Sequence, residues 1–275
     1  KMILKYIKSV IFFTLIYLLA SCSDYQKILN NSDISLKYKA AEDYYNLGDY
    51  RKANRIFEQI LPSYRGKPQA QRIIYFFANS YFQIKDYGLA AFQFESFVKT
   101  YPKSNRLQEA YFMSAKSYYM LSPRFSLDQQ DTYKAIDKLQ IFLDNYPNGE
   151  FSDDANTLIA ELQVKLEKKS FEISKKYFTI RDYKASINAF DNFISDFPGT
   201  QFKEEAFYYK FLSNYELAIN SIFTRKKERL VLAKELGESL LIYFPESLFA
   251  NDLENKFKKI EEELSLFEQP IIKTK

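Results

Sequence analysis

Histidine and tryptophan are absent from this 275-residue chain, and cysteine occurs once. Without histidine the chain lacks the commonest general base and the commonest metal ligand together. A single cysteine permits neither an intramolecular disulfide nor a cysteine-based zinc site. With only 6 Gly and 8 Pro there is little material for a turn-rich β protein. No glycine-rich phosphate loop, Cys/His pair or Ser/His pair is present. The chain is therefore expected to be non-enzymatic and to need no cofactor or metal. The formal net charge is +4, but Lys1, Lys5 and Lys8 all precede residue 22. The remainder is close to neutral and offers no footprint for nucleic acid.

Aromatic residues are abundant, with 23 Tyr and 26 Phe. They are periodic in the stretch Gln71–Pro102, which reads as two amphipathic helices joined by a turn at Lys85-Asp86-Tyr87. Ala78-x2-Tyr81, Ala90-x3-Phe94 and then Pro102 match the tetratricopeptide pattern, with Ala in the slot usually held by Gly. Shifting the frame by 37 residues finds Ala41-x2-Tyr44 on one side and Ala115-x2-Tyr118 on the other. Second helices close on aromatic-Pro at Tyr101-Pro102, Tyr146-Pro147, Phe197-Pro198 and Phe244-Pro245. Proline lacks a donor and bars its predecessor from helical geometry. The fold class expected is all-α: a superhelical solenoid of about five tetratricopeptide repeats over 32–268, ending in a capping helix near Leu248–Phe267. Within it, Pro62–Pro68 reads as an inter-repeat loop and Thr224–Glu228 as a charged interruption. Gln269–Lys275 reads as a tail.

The front of the chain reads as an address. Lys5 and Lys8 precede the apolar run Val10–Ala20, too short for a comfortable membrane span. Leu19-Ala20-Ser21-Cys22 resembles a bacterial lipoprotein signal. The resemblance implies that 1–21 is removed, that Cys22 carries the lipid, and that 22–31 is a tether.

In the first helices of repeats one to three, two aromatic columns also step by 37: Tyr38, Tyr75, Phe112 and Tyr45, Phe82, Tyr119. Seven residues make about two helical turns, so both columns share a face. The Ala/Tyr face supplies the repeat-to-repeat core. The ladder is then expected to line an inner groove suited to extended peptides, since rings give contact area with little entropy to lose. The alternative is that these six rings are themselves core. Arg225-Lys226-Lys227 is a basic cluster that reads as a solvated loop, the alternative being a contact for a partner or anionic lipid.

A lipoprotein cysteine, a tether, five repeats and the run Asp128-Gln129-Gln130-Asp131-Thr132-Tyr133-Lys134-Ala135-Ile136, continuing to Phe142-Leu143-Asp144-Asn145-Tyr146-Pro147-Asn148-Gly149-Glu150-Phe151, together resemble the BamD family of outer-membrane assembly lipoproteins. The resemblance implies a lipid-anchored scaffold on the periplasmic face of the outer membrane. It implies BamA as partner through the C-terminal repeats, and unfolded outer-membrane proteins as clients of the N-terminal repeats. Family members can pair an Arg in the second helix of repeat four with an acid on BamA. Ala189 aligns there, and no Arg lies in Tyr183–Phe197. A lipid-anchored scaffold regulating another envelope enzyme, such as a peptidoglycan synthase, is the alternative.

Overall fold

The computed structural model describes residues 24–268. Cys22, the leader 1–21 and the tail 269–275 lie outside the described residues. The described chain is helical and without strands. After a short helical stretch at 24–29 (α1), the helices are α2 (Ile34–Asn46), α3 (Tyr50–Tyr64), α4 (Ala70–Gln83), α5 (Tyr87–Thr100), α6 (Leu107–Leu121), α7 (Gln130–Asn145), α8 (Ser152–Thr179), α9 (Tyr183–Asp196), α10 (Lys203–Ile219), α11 (Phe223–Tyr243) and α12 (Ala250–Ser265). They form tetratricopeptide-type pairs, α2/α3, α4/α5, α6/α7, α8/α9 and α10/α11, with α12 after the last.

Three turns are built alike. Gly48, Lys85 and Arg181 take φ of 79°, 67° and 64°, the left-handed conformation that ends a helix. The next residue is Asp each time. Its N–H donates back to Tyr44, Tyr81 and Tyr177 at 2.9, 2.9 and 3.0 Å. Its carboxylate accepts from Lys52 N, Leu89 N and Ala185 N, capping the following helix. A left-handed non-glycine residue costs roughly 1–2 kcal/mol. The two sets of hydrogen bonds offset that cost at Lys85 and Arg181. At the other end, Tyr101, Tyr146, Phe197 and Phe244 share one conformation, φ between −124° and −136°, with the proline immediately after.

The chain forms two compact units. Of the described residues, the first holds 24–123 and 128–160, with a core of Ala41, Ala53, Phe57, Tyr75, Ala78, Phe94 and their neighbours. Tyr25, Ile28 and Leu29 pack against that core, so the part of the tether at 24–29 is a helical turn with an apolar side. Of the described residues, the second unit holds 124–127 and 161–268. Phe171 of α8 meets Phe190 and Phe193 of α9 at ring-centre distances of 5.8 and 5.7 Å. Phe211, Leu230, Ala233, Leu240, Leu253 and Ile260 form a further cluster there.

One expected loop starts later than its sequence suggests, after Tyr64, and one expected interruption is helical. Pro62 lies inside the last turn of α3, not in a loop. Burial of Tyr64, whose ring sits 5.5 Å from that of Tyr38, carries the helix past the missing donor. Thr224–Glu228 is the first turn of α11, not an interruption. Lys226 there pairs with Glu263 at 2.7 Å, and Arg229 donates to Ser221 Oγ at 2.6 Å. Lys226 and Arg229 are thus met by neighbours, and the run does not break the helix.

Candidate functional site: the first-helix face of the N-terminal unit

Helices α2, α4 and α6 each place four residues, spaced three, four and three apart, on one stripe. Aligned by the 37-residue step, they are Ser35/Arg72/Glu109, Tyr38/Tyr75/Phe112, Glu42/Asn79/Lys116 and Tyr45/Phe82/Tyr119. The two aromatic columns were expected; the two polar columns were not singled out, although the same step contains them.

The structure divides the ladder. Tyr75 and Phe112 are core, with 4% and 3% of their surface exposed. Tyr75 meets Phe94 and Phe97 of α5, both at 5.8 Å. Phe112 stacks on Phe151 at 4.9 Å and 7°. Tyr38, Tyr45, Phe82 and Tyr119 are half-buried. Tyr45 stacks on Phe76 at 4.2 Å, and Phe82 meets Tyr87 edge-on at 5.3 Å. An open groove lined by all six rings is therefore not what this face presents. Helix α4 has α3 on one side and α5 on the other. Its buried residues Ile73, Tyr75, Phe76, Phe77, Ala78 and Ser80 go round most of its circumference. A helix with neighbours on both sides buries more than one stripe.

What lies over the rings is polar. Tyr38 Oη donates to Glu42 Oε1 at 2.6 Å, and the same carboxylate pairs with Arg72 Nε at 3.0 Å. Asn79 Nδ2 donates to Tyr45 Oη. Glu109 pairs with Arg106 at 3.8 Å, and the Arg106 guanidinium lies 4.4 Å from the centre of the Tyr75 ring. Lys116 lies 5.6 Å from that of Phe112. The face thus offers guanidinium donors, carboxylate acceptors and phenol hydroxyls above an apolar floor. That set can hydrogen-bond peptide backbone; it holds no nucleophile-and-base pair.

Burial, with the Glu42 hydrogen bond second, pushes the Tyr38 phenol up to about 12. Burial, with Glu109 second, raises Tyr75 further. A raised phenol favours the protonated folded state. Its contribution is complete below the ordinary value of about 10 and disappears as pH climbs through the folded value. The stability advantage of the wild type over Tyr38→Phe is accordingly expected to persist to pH 9 and vanish between pH 10 and 12. Paired thermal melts across that range measure it. An advantage that stays constant to pH 12 would show that the folded state does not favour the phenol over the phenolate.

In the same unit, Val98, Tyr111, Ala115 and Ile141 line a small cleft beside the Lys138–Glu95 ion pair of 2.8 Å. Tyr118 Oη donates to the same Glu95 at 3.2 Å.

In the second unit, Ala189 is half-buried on α9. The arginine contact implied by the family resemblance has no counterpart at that position.

A family model described as "YfiO: Outer membrane lipoprotein" matches residues 31–230 and 176–275. The chain belongs to this family. It is also the family of BamD. No curated protein matches the chain. Among solved structures, the chain is similar to the TPR2AB domain of yeast Sti1 in its pHSP90 complex. The identity is 12%, covering 83% of this chain and 98% of that one, with a TM-score of 0.37. It is similar to MamA protein at 17% identity, over 78% of this chain and 97% of that one, with a TM-score of 0.31. Among the described residues no helix is long and apolar enough to cross a membrane.

Proposed function

We propose that this outer-membrane lipoprotein is a non-enzymatic assembly factor for barrel proteins. It is held on the periplasmic face of the outer membrane by lipid on Cys22. Its C-terminal repeats dock a BamA-type barrel protein, and its N-terminal repeats receive unfolded barrel segments. The family match, which runs from residue 31 to the end of the chain, carries this reading. The polar first-helix face of the N-terminal unit supports the receiving role. Its Arg72, Arg106, Glu42 and Glu109 side chains can bond the unpaired backbone of an extended client.

The test is an affinity purification of the full chain from detergent-solubilised envelopes, run beside Cys22→Ala. BamA is expected to co-purify with the wild type. Cys22→Ala is expected to lose fatty-acid labelling and to leave the membrane fraction or remain uncleaved. Recovery of a cell-wall synthase without BamA would replace assembly by regulation of that enzyme. Normal lipid labelling of the variant would remove the anchor.

A further inference from the structure

Helix α8 is amphipathic in an unusual way along its length. Ala155, Ile159 and Leu162 are 0%, 9% and 0% exposed. At 100° per residue, the same face continues through Leu166, Ile173, Tyr177 and the following Ile180. On this continuation Ile173, Tyr177 and Ile180 are 48%, 38% and 62% exposed. An apolar face that the chain covers in the first half of the helix is thus bare in the second half. With Ser170 between them, these positions alternate steps of four and three, the seam of a two-helix pairing. Cations border it: Lys169 and Lys176 on one flank, Arg181 at its end. Lys176 and Arg181 are exposed and form no ion pair among the described residues.

We infer that the bare half of α8 is a docking seam for an amphipathic helix of a partner protein, one with acidic residues flanking its apolar stripe. Three observations select that occupant. The bare stretch is one helix wide and runs about two turns, from Ile173 to Ile180, which fits a helix laid along it and not a plane of lipid. The flanking charge is of one sign, so an acidic partner is complementary and a basic one is repelled. A second copy of this chain is disfavoured for the same reason. Pairing the seam with itself would set Lys176 against Lys169 or Arg181 of the other copy, like charge on like.

The probe is a designed 18-residue helical peptide with Leu at the seam positions and Glu on the flanks, compared with the same peptide carrying Lys on the flanks. Fluorescence anisotropy against the full chain is expected to show the acidic peptide binding at least about tenfold more tightly, a gap that narrows with added salt. Ile173→Glu/Ile180→Glu places charges on exposed positions and is expected to abolish binding with the melting temperature retained. Lys169→Glu/Lys176→Glu keeps the apolar seam and is expected to invert the preference. Equal binding of both peptides, binding unchanged in the first variant, or an unaltered preference in the second would overturn the inference. So would seam-dependent association with phosphatidylglycerol vesicles in place of peptide, or self-association of the wild type that the first variant removes.

Discussion

Tyr75→Ala is expected to destabilise the N-terminal unit by about 3–5 kcal/mol, the range for removing a large buried ring. The ring is enclosed by Phe76, Phe94, Phe97 and the Arg106 guanidinium. Truncation opens a cavity in contact with residues that are themselves fully buried, and α4 cannot move toward it without lifting Ala78, which is 0% exposed. Tyr75→Phe keeps the ring and loses only the hydroxyl, so it opens no cavity and should cost much less. Urea denaturation of both variants measures the difference. If Tyr75→Ala unfolds at the wild-type midpoint, the ring is an open binding surface after all. Tyr38→Ala should be milder, because Tyr38 is already half-exposed.

That contrast shows where the sequence was legible. Local devices were readable because their physics is local. The turn at Lys85-Asp86-Tyr87 and the aromatic-Pro closures each act within one turn of chain. The 37-residue step was readable too, and with it the alignment of Tyr38, Tyr75 and Phe112. Their depth was not. Whether a column is groove or core depends on how many helices flank it, and that is fixed by the stack, not by the helix's own pattern. Charge misled in the opposite sense at Thr224–Glu228. A basic run resembles solvated loop when Glu263, which meets Lys226, lies thirty-seven residues away in α12. The charged residues above the rings, Glu42, Arg72 and Glu109, were hidden for a simpler reason. They occupy the same 37-residue register, but polar positions on a helix are ordinarily taken for its solvent side.

Gly237→Phe is expected to release α12, even though it restores the regular repeat pattern. Four second helices carry a small residue followed four places later by a large one: Ala53/Phe57, Ala90/Phe94, Ala135/Leu139 and Ser186/Phe190, all 0% exposed. The fifth has Ala233 and then Gly237. The space that a side chain would fill is taken by a ring from α12. A Cβ on Gly237 would stand 2.5 Å from Phe257 Cε1, 2.8 Å from Phe257 Cζ and 3.0 Å from Phe211 Cε2. Glycine inside a helix costs about 1 kcal/mol relative to alanine, and burial of the Phe257 ring against the repeat offsets that. A phenylalanine at 237 cannot share the site. Overpacking of this kind costs about 1–3 kcal/mol and occasionally more. Here the structure yields by expelling Phe257, and with it the Lys226–Glu263 and Lys234–Glu261 ion pairs of 2.7 and 2.8 Å. Amide hydrogen exchange should therefore accelerate throughout Ala250–Ser265, with α8 and α9 unaffected. Phe257→Ala alone should also loosen α12, by leaving the site empty. The two changes together place a ring from α11 where the ring from α12 had been, so the double variant should be more stable than the sum of the single losses implies. Protection of the α12 amides in Gly237→Phe equal to that in the wild type would show that the last helix is held by other contacts, and that Gly237 does not serve to admit it.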